Sequence, residues 1–319
     1  AFDGILENTL SNLKSLLGIG GDHEVVLLQG GASLQFSMVP MNFLASHSGE
    51  ANYIVTGTWG KSGLKEAGRI GNSHVAWDGV DTGYDRLPSA EEVTLSKNPA
   101  YVHVTSNETI QGVQWQAIPT FQNVPLICDS SSDFLSRPVD IADYGMLYAC
   151  AQKNAGIAGV TVAVIRRDLL SRSQEELPAM LNYQTFVEKG SRPNTPPVFA
   201  VYILGLVCEW ILNDVGGLEQ IAARNVAKVN KVYDVIDSSE GFFRGHACPA
   251  SRSIMNVTFR LPSEELETAF VKNAAAEGLS DLKGHRSVGG IRASIYNAMP
   301  AEGVDALCQF MSDFKCSHG

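Results

Sequence analysis

The sequence comprises 319 residues, of which 45% are hydrophobic and 18% are charged. A chain of this length can bury a large core, and one large domain followed by a smaller one is its natural organisation. Its formal net charge of −10 argues against broad binding of nucleic acid or of anionic membranes, since both require a basic surface. A local cationic pocket for a small anion is compatible with this charge.

The cysteines indicate the redox compartment. They are Cys128, Cys150, Cys208, Cys248, Cys308 and Cys316. Because they lie far apart and form no CxxC pair, the pattern favours reduced thiols over a disulfide framework or a zinc site. We therefore expect a cytoplasmic enzyme without a bound metal.

The chain opens with an amphipathic helix. Its apolar positions recur at helical spacing, and Gly18 ends the pattern. The residues of this apolar face are Ile5, Leu6, Leu10, Leu13, Leu16 and Leu17. The helix begins without an initiator Met and no signal peptide is recognisable, so we expect an upstream segment to have been lost or removed.

Strands and helices then alternate. Apolar strand patterns occupy residues 23–31, 51–60, 100–110, 124–133, 145–153 and 159–170. Helices are predicted at residues 32–46, with a kink at Pro40, and at 61–71. Near-continuous apolar strands that alternate with helices predict an α/β fold with a mostly parallel sheet covered on both faces.

The last third of the chain has a different character. The apolar run 198–212 is too short to span a bilayer and contains Glu209, so we interpret it as a buried helix. Beyond Gly241, strand patterns at 253–262 and 288–298 alternate with helix patterns at 264–278 and 302–314. This predicts a C-terminal α+β module, with a boundary between residues 205 and 240.

Polar and small residues stand where the predicted strands end. They are Gly30–Ser33, Thr58–Trp59, Ser106–Thr109, Asp129 and Gln152–Lys153. In a parallel α/β sheet, ligands bind at these carboxyl ends. A glycine turn before a helix suits a phosphate, a Trp can stack on a ring, and an Asp and a Lys can engage a pyridine nitrogen and an aldehyde. The set therefore suits a phosphorylated aromatic cofactor.

Each member of this set also has a structural interpretation. The glycines can form a simple turn, and Trp59 can belong to the core. Asp129 can cap a following helix, and a lone lysine such as Lys153 is usually solvated. The small residues around Lys153, in YACAQKNAGIAG, favour close approach of the backbone to a ligand.

Longer segments carry a resemblance to a known family. They are QGGASLQFSMVPMN, CDSSSDFLSRPVDIADYG, AQKNAG, AGVTVAVIRRDLL, NTPPVFAVYILGLVCEW and GHRSVGGIRASIYNAMPAEGV. The sequence resembles the phosphoserine aminotransferases, class V aminotransferases of fold type I that depend on pyridoxal 5′-phosphate (PLP), from its first residue to its last helix. The resemblance implies a large PLP-binding domain (1–215), with a mostly parallel seven-stranded sheet between helices, and a small α+β domain (216–319).

The resemblance also implies roles for individual residues. Lys153 looks like the lysine that binds the PLP aldehyde, Asp129 like the partner of the pyridine nitrogen, and Trp59 like the stacking ring. The other implied cofactor contacts are Ala32 and Ser33 with the phosphate, Thr109 and Gln152 with ring substituents, and Asn194 and Thr195 with the phosphate of the neighbouring subunit's PLP. The implied substrate contacts are His285 and Arg286 with a phosphate or side-chain carboxylate, and Arg292 with the α-carboxylate.

The activity implied by the resemblance is amino transfer between glutamate and 3-phosphohydroxypyruvate, which gives O-phosphoserine and 2-oxoglutarate in serine biosynthesis. A homodimer with shared active sites is implied as well. Whether the related substrate of pyridoxine biosynthesis is used stays open. Family members begin earlier, with a glycine-rich strand and a turn that carries a second His–Arg pair, and this chain lacks that turn.

Two other functions are compatible with the sequence. One is another fold-type I activity, such as a lyase or a desulfurase, although a desulfurase needs a mobile cysteine and both Cys128 and Cys150 lie in predicted strands. The other is a PLP-binding interaction protein without catalytic activity. Turnover of phosphoserine with 2-oxoglutarate distinguishes these functions from the aminotransferase.

Overall fold

The structure, a computed structural model, describes residues 2–45 and 47–319. Ala1 and Ser46, at the ends of two predicted helices, lie outside this part of the chain. The helices are α1 (Phe2–Leu17), α2 (Gly31–Phe43), α3 (Thr58–Ile70), α4 (Arg167–Leu170), α5 (Tyr183–Glu188), α6 (Val198–Glu209), α7 (Leu218–Asp237), α8 (Glu264–Ala276) and α9 (Ala301–His318). The strands are β1 (His23–Leu28), β2 (Glu50–Val55), β3 (Ser73–Asp78), β4 (Pro99–Thr105), β5 (Asn107–Glu108), β6 (Val113–Gln114), β7 (Leu126–Asp129), β8 (Met146–Cys150), β9 (Thr161–Arg166), β10 (Arg244–Gly245), β11 (Asn256–Arg260) and β12 (Ile291–Ser294).

The large sheet has seven strands in the order β1-β9-β8-β7-β4-β2-β3. Neighbours from β8 to β3 run parallel, whereas β9 is antiparallel to both β1 and β8. This confirms the predicted α/β fold with a mostly parallel seven-stranded sheet. Strand β1 lies at one edge of the sheet, because β9 lies between β1 and β8.

Both faces of this sheet are buried, as the apolar strands predicted. Successive residues point to opposite faces of a strand, so each strand supplies two separate clusters. On β7, Ile127 packs with Tyr53 and Tyr148, whereas Cys128 joins the cluster that contains Leu13 of α1. The sheet is therefore a rigid platform whose strand ends hold the polar residues.

One predicted strand ends earlier in the structure than the sequence indicated. The strand predicted at 51–60 ends at Val55, and α3 begins at Thr58, so Trp59 lies in the first turn of a helix. Gly57 separates the two elements, and its extended backbone allows the sharp change of direction. Pro40 lies inside α2, which continues to Phe43.

The predicted buried helix at 198–212 is wrong in two respects. Helix α6 continues into a π-helix over Trp210–Val215, so an unbroken apolar helix of 18 residues is long enough for a membrane span by length and composition alone. One face packs along α1, where Asn8 donates a hydrogen bond to Glu209. The opposite face is exposed, and the Phe199 side chain is 65% accessible. The helix is thus half-buried, since its apolar residues lie on both the covered and the exposed face.

The C-terminal module contains the antiparallel sheet β10-β11-β12 and helices α7, α8 and α9. Its core is aromatic, with Phe270 in edge-to-face contact with Phe259, Phe310 and Phe314. The first turns of α7 belong to the core of the large sheet, through Leu218. The division at residues 215 and 216 stays a prediction.

Candidate active site

A pocket of about 200 Å³ lies at the carboxyl ends of β4, β7 and β8. Its lining residues are Gly30, Gly31, Ala32, Ser33, Trp59, Thr105, Asn107, Thr109, Asp129, Ser131, Ser132, Cys150, Gln152 and Lys153. Seven residues that the sequence predicted as cofactor contacts are brought together here: Ala32, Ser33, Trp59, Thr109, Asp129, Gln152 and Lys153. The pocket therefore lies where the sequence predicted a ligand site, at the carboxyl ends of the strands.

Lys153 lies in the turn after β8. Its Nζ donates a 2.7 Å hydrogen bond to Thr109 Oγ1 and lies 5.2 Å from the centroid of the Trp59 ring. The small residues beside it serve close packing, because Ala151 and Ala155 are completely buried in the core beneath the turn. The turn thereby presents one amine to the pocket from a rigid base.

Asp129 is the last residue of β7 and is 3% exposed. Its Oδ1 accepts hydrogen bonds from Ser131 N at 3.0 Å and Ser131 Oγ at 2.6 Å, whereas Oδ2 accepts none from the described residues. Burial raises the pKa of this carboxyl, and the bonds from Ser131 and the charge of Lys153 act against that rise. The turn around Ser131 thus fixes the plane of the carboxylate and leaves one oxygen for a ligand.

The first turn of α2 offers backbone N–H groups to an anion. Gly30 and Gly31 both adopt positive φ, at 90° and 66°, and no side chain caps the helix. A Cβ on Gly30 would lie 2.5 Å from Leu34 Cδ2, so the turn requires glycine there. The uncapped N–H groups of Ala32 and Ser33, at the positive end of the helix dipole, fit a phosphate.

Unsatisfied polar atoms around the pocket support its use by a ligand. Trp59 Nε1, Thr105 Oγ1 and Asn107 Oδ1 are buried and have no hydrogen-bond partner in the described residues. Buried polar groups are normally paired. Together with Asp129 Oδ2 and the α2 turn, they make a donor and acceptor set that fits a phosphorylated pyridine aldehyde.

Two predicted cofactor contacts lie outside the pocket. Asn194 and Thr195 are exposed, and both accept hydrogen bonds from Gln29 Nε2, at 3.0 Å to Asn194 Oδ1 and 3.3 Å to Thr195 O. Gln29 directly precedes the α2 turn. The two residues therefore lie on the surface beside the pocket.

The predicted substrate residues also lie outside the pocket. His285 and Arg286 belong to a separate cleft of about 720 Å³, and His285 Nδ1 lies 2.8 Å from Ser287 Oγ. Arg292 stands on β12, and its Nε is buried without a partner in the described residues. An unpaired buried guanidinium nitrogen is available to a carboxylate.

Sequence reasoning missed residues in and beside the pocket. Ser131, in the pocket lining, orients Asp129. Glu108, outside the lining, binds the first turn of α3, which carries Trp59. The strand-end range Ser106–Thr109 included Glu108 without giving it a role. The sequence signal for Glu108 was its position directly before Thr109, a predicted cofactor contact. Cys150 also lines the pocket, but it is buried at the end of β8.

Comparisons with known proteins identify the family. The sequence model described as aminotransferase class-V matches residues 1–307. The chain belongs to the class V aminotransferases. It is therefore a PLP-dependent transaminase, and the predicted resemblance, enzyme class and cofactor are confirmed.

Similar proteins cover nearly the whole chain. A phosphoserine aminotransferase of Rhodopirellula baltica is 50% identical over 98% of this chain and 84% of its own length, and one of Herpetosiphon aurantiacus is 50% identical over 100% and 88%. The solved phosphoserine aminotransferase of Bacillus circulans subsp. alkalophilus is 50% identical, with a TM-score of 0.97 over 100% of this chain and 88% of that one. A PLP-bound phosphoserine aminotransferase of Trichomonas vaginalis is 37% identical, with a TM-score of 0.91 over 97% and 88%.

Proposed function

We propose that this chain is a phosphoserine aminotransferase. It exchanges an amino group between glutamate and 3-phosphohydroxypyruvate to give O-phosphoserine and 2-oxoglutarate, a step of serine biosynthesis. Near-full-length similarity to proteins of that name supports the proposal. The observation that carries it is the presence of Lys153 and Asp129 in one pocket, because transamination needs an amine for the cofactor aldehyde and a carboxylate for its ring.

Different residues of the pocket bind different parts of the cofactor. When bound, PLP supplies the electron sink that labilises the Cα proton of an amino acid. Asp129 offers Oδ2 to the pyridine nitrogen and holds a proton there, while Ser131 keeps the carboxylate in place. Ala32 and Ser33 receive the phosphate, Trp59 stacks on the ring, and Thr109 and Gln152 contact its substituents.

Lys153 is the group that moves protons. It supplies the amine of the pocket, and its Nζ is already held by Thr109 Oγ1 at 2.7 Å. With PLP bound and an amino-acid substrate in the pocket, Lys153 Nζ would be the base that moves the Cα proton of the substrate.

The C-terminal module supplies the substrate contacts. Arg292 binds the α-carboxylate, since a guanidinium grips a carboxylate with two parallel hydrogen bonds. His285 and Arg286 bind the phosphate of phosphoserine or the side-chain carboxylate of glutamate. The buried, unpaired Nε of Arg292 supports this assignment.

The enzyme is a homodimer in which each subunit completes the other's site. Asn194 and Thr195 reach the phosphate of the partner's cofactor. They are followed by an apolar exposed face on α6 that includes Val198, Phe199 and Tyr202, and a contiguous face of this kind supports an interface. We assign the protein to the cytoplasm, without membrane or nucleic-acid partners, in agreement with its net charge of −10.

An activity assay tests the proposed function. Purified protein loaded with PLP is mixed with O-phosphoserine and 2-oxoglutarate, and glutamate is measured. We expect turnover by the native chain and a loss of at least about 10³-fold in Lys153→Ala, because general-base catalysis and covalent cofactor binding are both removed. The Lys61→Ala variant, which changes a lysine on the exposed side of α3, is the matched control and should keep full turnover.

Other outcomes of the same assay would contradict the proposal. Bound cofactor with no turnover in the native chain would favour a protein without catalytic activity. Turnover of other amino acids but not of phosphoserine would favour another fold-type I activity. Full turnover by Lys153→Ala would remove Lys153 from its assigned role.

A further inference from the structure

Glu108 is a buried carboxylate to which the proposed reaction assigns no role. Its side chain is 0% exposed, and it forms no ion pair with a described residue. A carboxylate removed from water needs hydrogen bonds that compensate for its lost hydration. The role of Glu108 therefore depends on what its two oxygens bind.

Both oxygens of Glu108 bind the first turn of α3. Oε2 accepts from Trp59 N at 3.0 Å, and Oε1 accepts from Gly60 N at 2.8 Å. These N–H groups have no partner within the helix, and they lie at its positive end, where a carboxylate is favoured. Because a carboxylate alone among side chains offers two acceptor oxygens and no donor, it satisfies both N–H groups at once.

The surrounding residues are shaped for this contact. A Cβ on Gly57 would lie 2.6 Å from Glu108 Cδ, and one on Gly60 would lie 3.3 Å from Glu108 Oε1. Gln111 binds the same turn, donating from Nε2 to Thr58 Oγ1 at 2.9 Å. Three consecutive residues of α3 are thus held from the segment that follows β4.

The residue in the middle of that turn is Trp59. Its ring lies 5.2 Å from Lys153 Nζ, and Thr109, the residue after Glu108, accepts a hydrogen bond from the same Nζ. The neighbouring residues Glu108 and Thr109 therefore bind the backbone of the turn that carries the indole and the amine of Lys153, respectively. The α3 N-terminus is filled by a protein carboxylate, so of these two helix ends α2 is the one open to the cofactor phosphate.

We infer that Glu108 is a positioning residue that holds the Trp59 indole in place for the cofactor ring. Burial raises the pKa of this carboxyl to about 7, against the hydrogen bonds from Gly60 and Trp59, so the ionised form that accepts with both oxygens predominates above about pH 7. The inference rests on the proposed role of Trp59 as the stacking ring. It adds that the ring's position depends on Glu108.

The test is a measurement of PLP affinity in cofactor-free protein. Glu108→Gln keeps the shape but replaces one acceptor oxygen with an NH₂ that faces a backbone N–H. We expect the Kd of PLP to rise about tenfold, as for loss of a hydrogen bond to a charged group, and the absorbance band of the bound cofactor to shift. Glu267→Gln is the matched control, since Glu267 is also buried and also accepts from backbone N–H groups, of Leu261 and Gly290; its PLP affinity should equal that of the native protein.

A double-mutant cycle separates positioning from general destabilisation. If Glu108 acts through the indole, adding Glu108→Gln to Trp59→Leu should weaken PLP binding by less than about twofold beyond Trp59→Leu alone. Additive effects, or an unchanged Kd in Glu108→Gln, would overturn the inference. If Trp59→Leu binds PLP with the native affinity, the proposed stacking role of Trp59 is wrong, and the inference about Glu108 is wrong with it.

A milder variant covers the case in which Glu108→Gln does not fold. Gln111→Ala removes two bonds with Thr58 on the same turn, from Gln111 Nε2 to Thr58 Oγ1 and from Thr58 N to Gln111 Oε1. We expect it to raise the Kd of PLP at least about threefold, as for loss of neutral hydrogen bonds. An unchanged Kd in a folded Gln111→Ala protein would contradict the positioning of Trp59 from this segment.

Discussion

At the scale of single residues, the pocket is built from pairs in which one partner fixes the other. Ser131 fixes Asp129, Thr109 holds Lys153, and Glu108 holds the turn that carries Trp59. In each pair the reacting or stacking group keeps one free side for the cofactor. Such preorganisation lowers the entropy cost of binding.

Glu108 also makes stability depend on pH. Burial raises its pKa from 4.5 to about 7, the N–H groups of Gly60 and Trp59 oppose that rise, and the charges facing it are Asp129, which raises the pKa, and Lys153, which lowers it. Between these two pKa values the folded chain holds a proton that the unfolded chain has lost. The free energy of unfolding therefore falls as pH rises from about 4.5 to about 7.

The prediction concerns cofactor-free protein in urea titrations between about pH 5 and pH 8. The native free energy of unfolding should fall relative to that of Glu108→Gln by on the order of 3 kcal/mol over this window, since one pKa unit corresponds to about 1.4 kcal/mol. In Glu108→Gln the side chain does not titrate, so this contribution is absent. A difference between the two proteins that stays constant with pH would refute it.

At the scale of elements, α1 and α6 approach each other closely at Gly205. A Cβ on Gly205 of α6 would lie 2.5 Å from Thr9 Oγ1 of α1. That hydroxyl donates to Ile5 O at 2.8 Å, which holds it in place. The small residue on α6 thus lets α1 seat on the helix that carries the exposed apolar face.

We predict that Gly205→Ala lowers the free energy of unfolding by about 1–3 kcal/mol, the usual cost of overpacking. Thr9→Ala removes the atom that clashes, so the double variant Thr9→Ala/Gly205→Ala should recover most of that loss. Thr9→Ala alone is the control and should lose little. Urea titration of the four proteins measures this, and a double variant as unstable as Gly205→Ala would contradict the contact.

The same elements show what the sequence can and cannot predict. Strands β7 and β8 end where apolar residues give way to polar ones, so Asp129 and Lys153 were found from local pattern alone. The end of β2 was placed too late because the sequence was interpreted as one strand through TGTWG. A glycine is required at position 57, because a Cβ there would lie 2.6 Å from Cδ of Glu108, fifty-one positions away. Long-range contacts of this kind leave no periodicity in the sequence.

At the scale of the whole molecule, the turn that carries Lys153 is tied to the C-terminal module. Asn154 Oδ1 accepts from Asn297 N at 2.8 Å, and Asn297 Nδ2 donates to Leu135 O at 2.8 Å. Asn225 of α7 donates to Asn297 Oδ1 at 2.8 Å. Buried hydrogen bonds of this kind fix the geometry between parts of a fold, although Asn225 Oδ1 has no partner in the described residues. It joins the predicted cofactor lysine to the module that carries the predicted substrate arginine, Arg292.

We propose that Lys153 binds the cofactor aldehyde covalently. Borohydride reduction of the PLP-loaded protein, followed by peptide mass spectrometry, measures this directly. We predict a pyridoxyl adduct on the peptide that contains Lys153 and none after reduction of Lys153→Ala. An adduct on a different lysine, or no adduct in protein that retains PLP, would contradict it.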